Sequence, residues 1–258
     1  MQELRALIFD VDGTLADTER DGHRVAFNQA FAEAGLDWRW SVERYGELLR
    51  VTGGKERIRQ YLSEDHPEML ADPGIEERIR ALHAAKTRHY VRLLEGGSIP
   101  LRPGVRRLLD QAEQAGIRLA IATTTTPENV TALLRATLGE DGPWRFEVIS
   151  AGDVVPEKKP APDIFTHALE ALGLPPEAGL ALEDSDNGVR AARGAGLAVV
   201  VTTNDYTRDQ DFSGALAVLD GFGEPERPAR VLAGPPRSGS VVVDVPTLRG
   251  WFAARTSG

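Results

Sequence analysis

The stretch LIFDVDGT, residues 7–14, places two carboxylates one residue apart directly after an apolar run. A continuous apolar run of this length predicts a strand covered on both faces, as in a parallel sheet. Asp10 and Asp12 would then follow the carboxyl end of that strand, although like-charge repulsion opposes bringing them together. We therefore expect a partner at this point that favours both acids.

Four further segments have the composition of strands, and amphipathic helix patterns lie between most of them. The five predicted strands cover residues 4–9, 118–123, 146–150, 179–182 and 198–202. The helix patterns cover residues 105–116, 127–138, 162–172 and 185–195. This alternation is typical of α/β proteins. We predict a Rossmann-like core, a parallel sheet with helices packed on it.

Residues 17–96 differ, because they carry helical patterns and no strand signal. One apolar stripe contains Phe27 and Phe31 and stops at Gly35, and further helices fit residues 42–49, 55–62 and 76–94. We expect a helical-bundle cap domain over residues 17–96, inserted into a core domain of residues 1–16 and 97–258. Residues 16–17 and 96–98 would be the hinges. Trp38 and Trp40 are expected to pack between the cap helices.

The composition restricts the partners. The formal net charge of −9 disfavours nucleic acid and anionic membrane surfaces. The chain contains no cysteine, which excludes disulfides and thiol chemistry. No apolar run is long enough to span a membrane, and the first predicted strand leaves no room for a signal peptide. We expect a cytoplasmic monomer that binds a small molecule, with a processed plastid protein as the alternative.

Chemically useful side chains follow four of the predicted strands. Asp10 and Asp12 follow the first, TTTT (123–126) the second, EKKP (157–160) the third and EDSDNG (183–188) the fourth. Ligands of open parallel sheets collect beyond the carboxyl ends of the strands. Asp10, Asp12 and Asp184 offer the oxygen ligands that Mg²⁺ prefers, and Lys159 adds a positive charge. The sequence thus predicts a site for an anion held by a divalent cation.

The segments DVDGT (10–14), AIATT (120–124), EKKPAPDIF (157–165) and LALEDSDNG (180–188) resemble the four motifs of the haloacid dehalogenase (HAD) superfamily, in the branch with a helical cap after the first strand. The resemblance covers essentially the whole chain. It implies that Asp10 is a nucleophile that forms an aspartyl-phosphate and that Asp12 is first general acid and then general base.

The same resemblance assigns the remaining core residues. Asp184, Asp10 and the Asp12 backbone carbonyl would hold Mg²⁺, with Glu183 reaching the ion through water. Lys159 and Thr123 would hold the phosphoryl group, a task of charge stabilisation. Dehalogenation needs no acid two residues after the nucleophile, so Asp12 indicates phosphoryl transfer.

The segments DTERDGHRVAFNQAF (17–31) and YGELLRVTGGKERI (45–58) resemble those of CbbY-type phosphatases. That resemblance implies hydrolysis of xylulose 1,5-bisphosphate, a Calvin-cycle misfire product that inhibits Rubisco, to xylulose 5-phosphate. A second phosphate needs its own cations, and Lys55 and Arg57 open a helix whose N-terminus favours anions. The further candidates for substrate binding are Thr124, Gly54, Asp17, Glu19, His23, Arg20 and Arg24.

Other interpretations remain open at this point. A sugar phosphomutase of the β-phosphoglucomutase kind or a phosphoglycolate phosphatase would use the same core residues. A catalytically idle binding protein could also have this fold. Each motif has a structural interpretation as well: Asp10 and Asp12 could cap a loop, the threonines could cap a helix, and GGKERIR (53–59) could simply begin one.

Overall fold

A computed structural model describes residues 3–97, 99–235 and 239–255 of the chain. Within these ranges one mixed sheet of eight strands has the order β3-β2-β1-β4-β5-β6-β7-β8. The strands are β1 (Ala6–Phe9), β2 (Arg118–Thr123), β3 (Val148–Ala151), β4 (Gly179–Glu183), β5 (Ala198–Thr202), β6 (Ala217–Leu219), β7 (Ala229–Ala233) and β8 (Ser240–Val241). The first six pair in parallel, which confirms the predicted parallel α/β core.

The sequence analysis did not predict the last two strands, β7 and β8, which pair antiparallel at one edge of the sheet. They lie in or beside the Pro- and Gly-rich stretch of residues 224–240, and β6 was not predicted either. In β7 only Ala229 is buried. A largely exposed strand therefore lacks the apolar run that marks the buried strands.

Helices cover both faces of the sheet. On one face pack α5 (Val105–Gln114), α6 (Pro127–Leu138) and α9 (Val245–Ala254), and on the other α7 (Asp163–Leu172) and α8 (Asp186–Gly194). Strand β1 is buried by both layers, with Leu7 and Phe9 in one apolar cluster and Ala6 and Ile8 in the other. This double burial is the physical reason for the continuous apolar run before Asp10.

Residues 18–95 contain helices and no strand. The helices are α1 (Arg24–Glu33), α2 (Val42–Leu48), α3 (Gly54–Asp65) and α4 (Ile75–Glu95), and a π-helical turn, Glu19–His23, leads into α1. They share an apolar cluster of their own in which Trp38 and Trp40 are buried, as the sequence predicted. We call residues 17–96 the helical segment.

The chain passes between the sheet and the helical segment at two neighbouring points. Ala16 forms an antiparallel bridge with Leu101, and the Arg102 N–H donates to the Leu15 carbonyl over 2.9 Å. The second expected hinge begins with Gly96 and Gly97, which follow α4, whereas Ser98 lies outside the described residues.

Candidate active site

Asp10 lies immediately beyond β1, where β2 and β4 flank it in parallel register. Its backbone N–H donates to the Leu182 carbonyl over 2.9 Å, which continues the β4 ladder past the end of the strand. The Lys159 ammonium donates to Asp10 Oδ1 (2.6 Å), Glu183 Oε1 (2.6 Å) and the Ala122 carbonyl (2.9 Å). One buried lysine therefore joins the ends of three strands.

Burial and neighbouring charges have opposite effects on the pKa values of Asp10 and Lys159. Burial raises the pKa of Asp10 well above its ordinary value, with a further contribution from the Glu183 charge, and the attraction of Lys159 only partly offsets it. Burial also opposes the charge on Lys159, but Asp10 and Glu183 outweigh that effect and raise the pKa of Lys159. Lys159 therefore keeps its positive charge, and it faces the two carboxyl groups of Asp10 and Glu183.

The acid cluster contains Asp10, Glu183 and Asp184, whose carboxylate oxygens approach within 4.8 Å of one another. Burial, followed by repulsion from Asp10, raises the pKa of Asp184 well above its ordinary value. Asn204 Nδ2 donates to Asp184 Oδ2 over 2.6 Å and so orients that carboxylate. Hard oxygen donors whose charges repel one another are the donor set of a divalent cation such as Mg²⁺, so these residues fit one.

Asp12 has a different environment. Its Oδ1 accepts hydrogen bonds from Thr18 Oγ1 (2.5 Å) and His23 Nε2 (2.8 Å). Lys86 Nζ lies 2.8 Å from His23 Nδ1, and because ammonium can only donate, we assign the ring proton to Nε2. The His23 ring also stacks on Tyr90 at 4.0 Å between centroids.

Because of these contacts, the pKa values of Asp10 and Asp12 are shifted in opposite directions. Burial alone would raise the pKa of Asp12, but the interaction with the His23 N–H, the Thr18 hydrogen bond and the charge of Lys86 together hold that pKa well below its ordinary value. Asp10 is shifted the other way. Two carboxylates two positions apart can therefore take different roles.

Two glycines of the motifs allow the acids to approach. Gly13 has φ +90°, and a Cβ there would lie 2.3 Å from Asp184 Oδ2. A Cβ on Gly188 would lie 1.9 Å from the Glu183 carboxylate. A larger residue at either position would displace the acid beside it.

The acids open into a cavity of about 670 Å³. Residues that follow the strands line one side of it, namely Asp10, Asp12, Thr123, Thr124, Lys159 and Asp184. The helical segment lines the other side with Glu19, Arg50, Thr52 and Arg57. The volume lies in the range of small-molecule sites. All the core residues predicted to act on the phosphoryl group thus meet at one cavity.

Lys55 and Arg57, the two residues predicted to bind the second phosphate of the substrate, contact other groups of the protein. Lys55 does not line the cavity, and its ammonium pairs with Asp153 of the core at 2.6 Å. Arg57 lines the cavity, but its guanidinium is buried and donates to Tyr45 Oη (2.9 Å) and to the carbonyls of Leu48 and Val51. Both cations are therefore already engaged by the protein.

The remaining predicted substrate contacts are dispersed. Glu19 lines the cavity and accepts a hydrogen bond from the Tyr45 hydroxyl. Gly54 packs against α4 instead, since a Cβ there would lie 2.6 Å from the His83 ring. His23 is buried behind Asp12, and Arg24 donates to the carbonyls of Arg20 and Trp40.

Asp17 and Arg20 line a second cavity of about 600 Å³ that also borders Gly13 and Asn204. Arg20 lies 3.8 Å from Asp205, and Asp17 lies 3.3 Å from Arg102. Neither side chain lines the cavity of the acid cluster.

Among the residues of the site that sequence reasoning missed are Thr18, Arg50, Lys86 and Asn204. Lys86 carried a usable signal: in α4 it occupies the apolar stripe of Ile79, Leu82 and Tyr90, and a lysine on a buried face needs a partner. Arg50 lies within the segment YGELLRVTGGKERI (45–58), but only the folded chain shows that it lines the cavity. No motif or pattern in the sequence marked Asn204 as a residue of the site.

Known proteins match this chain closely. The family model for haloacid dehalogenase-like hydrolases matches residues 4–196. The chain belongs to the haloacid dehalogenase-like hydrolase family, which confirms the resemblance found in its four motifs.

Within that family the chain is similar to CbbY proteins. It is 55% identical to CbbY of Rhodobacter capsulatus over 213 residues, covering 83% of this chain and 91% of that protein. It is 50% identical to the plasmid-encoded CbbY of Cupriavidus necator over 250 residues, 96% of each chain. A crystal structure of the D10N mutant of Rhodobacter sphaeroides CbbY in complex with xylulose 1,5-bisphosphate is 48% identical, with a TM-score of 0.80, and covers 94% of this chain and 100% of that chain.

Within the described residues, no helix has the length and apolar character that crossing a membrane requires.

Proposed function

We propose that this hydrolase is a Mg²⁺-dependent sugar-phosphate phosphatase of the CbbY type that converts xylulose 1,5-bisphosphate to xylulose 5-phosphate. The observation that carries the proposal is the meeting of Asp10, Asp12, Lys159 and Asp184 at one cavity. The similarity to a CbbY crystallised with xylulose 1,5-bisphosphate supports the choice of substrate. In this proposal residues 17–96 are a cap domain, and the cytoplasmic location and monomeric state stay predictions.

The proposed reaction has two displacements at phosphorus. In the first, a carboxylate oxygen of Asp10 bonds to phosphorus, the bond from phosphorus to the sugar oxygen breaks, and Asp12 gives that oxygen a proton. The free Asp12 carboxylate accepts hydrogen bonds from Thr18 and His23, so in this proposal Asp12 takes up that proton together with the substrate. In the second, water attacks the aspartyl-phosphate, Asp12 takes a proton from the water, and the bond from phosphorus to Asp10 breaks. Phosphate leaves and both acids return to their starting state.

Stabilisation of the phosphoryl oxygens falls to the groups around Asp10. Lys159 supplies the buried positive charge, while Thr123 and Thr124 supply hydrogen-bond donors at the carboxyl end of β2. Asp10 and Asp184, with Glu183 beside them, would hold Mg²⁺, which when bound supplies charge neutralisation at the transferring group. Pre-arranged cations and dipoles of this kind account for much of the rate enhancement in phosphoryl transfer.

Asp12 can transfer a proton only if its carboxylate points at the leaving oxygen. We propose that Thr18, His23 and Lys86 fix that orientation, since the first two donate to Asp12 and the third donates to His23. All three side chains are buried and belong to the helical segment. Docking of that segment against the core therefore completes the acid–base group.

The titration of Lys86 should make the folded protein more stable as the pH rises. Burial lowers the pKa of Lys86 from 10.5 to about 8, against the attraction of Asp12 and Glu19. Such a lysine costs stability while it is charged, so the cost is full below pH 8 and disappears as the pH rises towards 10.5.

We expect Lys86→Met to remove this cost. The unfolding free energy of Lys86→Met minus that of the wild type should decrease by up to about 3 kcal/mol between pH 7 and pH 10.5. Urea denaturation at four pH values measures this difference. Lys158→Met, which changes a lysine paired with the exposed Asp153, is the control and should show no such trend. A difference for Lys86→Met that is independent of pH would contradict the expectation.

The second phosphate of the substrate needs a cation that the protein has not already paired. Arg50 is exposed and lines the cavity, and within the described residues its guanidinium makes no hydrogen bond or ion pair. Asn187 Nδ2 donates to the Arg50 carbonyl (3.3 Å) and Thr52 Oγ1 (3.2 Å), which ties this loop to the core. We therefore propose Arg50, rather than Lys55, as the principal cation for the second phosphate.

Paired alanine substitutions distinguish these two cations. Arg50→Ala should raise KM for xylulose 1,5-bisphosphate by about 10- to 100-fold, the value of a charge-assisted hydrogen bond, and leave p-nitrophenyl phosphate hydrolysis nearly unchanged. Lys55→Ala should change both by less than about threefold, because Lys55 pairs with a partly exposed aspartate. The opposite order of effects would restore Lys55 as the phosphate ligand.

A phosphate-release panel with Mg²⁺ tests the function itself. It compares the 1,5-bisphosphates of xylulose and ribulose, fructose 1,6-bisphosphate, phosphoglycolate and glucose phosphates. The highest kcat/KM is expected for xylulose 1,5-bisphosphate, with loss of activity when a chelator removes the metal. Comparable turnover of phosphoglycolate would overturn the substrate assignment, and isomerisation of a glucose phosphate without phosphate release would identify a mutase.

A further inference from the structure

Arg102 is a buried cation that the proposed reaction does not use. It lies where the chain returns from the helical segment, and it is 7% exposed. Its guanidinium donates to the carbonyls of Thr202 (3.1 Å), Thr203 (2.6 Å) and Asp220 (3.3 Å), and also to that of Gly13. One side chain therefore holds the carboxyl ends of β5 and β6 and the loop after Asp12.

The carboxylate that pairs with this guanidinium belongs to Asp17, in the first hinge (residues 16–17), where the chain passes from the sheet to the helical segment. Among the described residues, Asp17 is the acid within salt-bridge distance of Arg102, with Oδ1 3.3 Å from Nε. The Asp17 side chain is 64% exposed. Arg102 also donates its backbone N–H to Leu15, next to the bridge between Ala16 and Leu101. Both crossings between sheet and helical segment thus meet at Arg102.

The Gly13 contact connects this hinge to the acid cluster. On one side the Gly13 carbonyl accepts from Arg102, and on the other its α-carbon lies so close to Asp184 that a Cβ would be 2.3 Å from Oδ2. Close-packed contacts of this kind transmit displacement rather than absorb it. A movement of Arg102 would therefore shift Gly13 and, through it, Asp12 or Asp184.

We propose that Asp17 and Arg102 are positioning residues, an ion pair at the hinge that couples the placement of the helical segment to the geometry of the Asp12–Gly13 loop. The inference builds on the proposed function, because the coupled loop carries the proposed acid–base group. It also reassigns Asp17, which the sequence suggested as a substrate contact. Arg102 alone could be a structural arginine, so the distinguishing residue is Asp17, whose exposure makes its substitution compatible with folding.

The test uses a matched pair of variants in the full chain. Asp17→Asn removes the hinge charge while keeping the side-chain shape. Asp205→Asn is the control, because Asp205 is similarly exposed (67%) and lines the same second cavity but pairs with Arg208 and Arg20. Asp17→Glu restores the charge. Two readouts are measured. The first is amide hydrogen exchange of residues 11–16, and the second is the kinetics of both esters, as kcat and KM for xylulose 1,5-bisphosphate and as the burst rate of nitrophenol release from p-nitrophenyl phosphate.

For Asp17→Asn we expect amide exchange in residues 11–16 to accelerate about three- to tenfold, with a similar fall in kcat for the bisphosphate. The burst rate of nitrophenol release from p-nitrophenyl phosphate, whose leaving group needs no proton, should stay within about twofold. Asp17→Glu should recover both losses, and Asp205→Asn should match the wild type. A rise in KM without a change in exchange would instead make Asp17 a substrate contact.

Exchange in Asp17→Asn that equals exchange in Asp205→Asn overturns the inference. If the wild type hydrolyses neither ester, the proposed function fails, and the exchange comparison still decides whether the ion pair holds the loop.

Discussion

Lys159→Met is expected to reduce phosphatase activity at least about a thousandfold, because the proposed phosphoryl site beside Asp10 loses its buried cation. The same change leaves Asp10 and Glu183 without their shared partner in a dry environment. Removing one partner of a buried ion pair typically costs about 3–5 kcal/mol. The metal-free variant should therefore unfold at distinctly lower urea concentration than the wild type.

The neighbouring lysine provides the control for this prediction. Lys158 pairs with the exposed Asp153 and the Gly152 carbonyl, outside the acid cluster. Lys158→Met should change activity by less than about threefold and stability by less than about 1 kcal/mol. Steady-state kinetics and urea denaturation with and without Mg²⁺ measure both effects. Equal effects of the two substitutions would show that Lys159 has no special role.

Asp10→Asn is expected to abolish phosphate release, by about 10⁴-fold or more, because an amide cannot act as the attacking nucleophile. The fold should survive, since burial already disfavours the charge on Asp10 and asparagine keeps its shape. The unfolding free energy of the metal-free protein should change by no more than about 1–2 kcal/mol.

Asp12→Asn provides the comparison, because it removes the proton transfer but leaves the nucleophile. With p-nitrophenyl phosphate, whose leaving group needs no protonation, Asp12→Asn should still release a burst of nitrophenol equal to the enzyme concentration. Asp10→Asn should release none. A burst from Asp10→Asn would exclude Asp10 as the nucleophile.

The sequence predicted that the motif residues would meet at one edge of the sheet, and it could do so for a geometric reason. Strands β2 and β5 have the predicted bounds, because both are buried along their length and the apolar runs end where the strands end. The parallel arrangement then places the residues that follow each strand at one edge. Asp10, Thr123, Lys159 and Asp184 are far apart in the chain, yet they line one cavity as this rule requires.

The helical side of the site was harder to predict, because helical periodicity does not say how a helix docks onto a distant element. Lys55 and Arg57 open α3 as predicted, but α3 presents Lys55 to Asp153 and buries Arg57 against Tyr45. The contact of Lys86 with His23 joins residues 63 positions apart and has no local signature beyond a lysine on an apolar face. Strand β7 was missed because most of it is exposed.

The most direct measurement of the central claim is a rapid acid quench of the wild type during turnover of xylulose 1,5-bisphosphate, followed by peptide mass spectrometry. A transient phosphoryl group on Asp10, absent from Asp10→Asn, is the predicted result. Product formation without a phosphorylated protein, or a phosphoryl group on another residue, would contradict it.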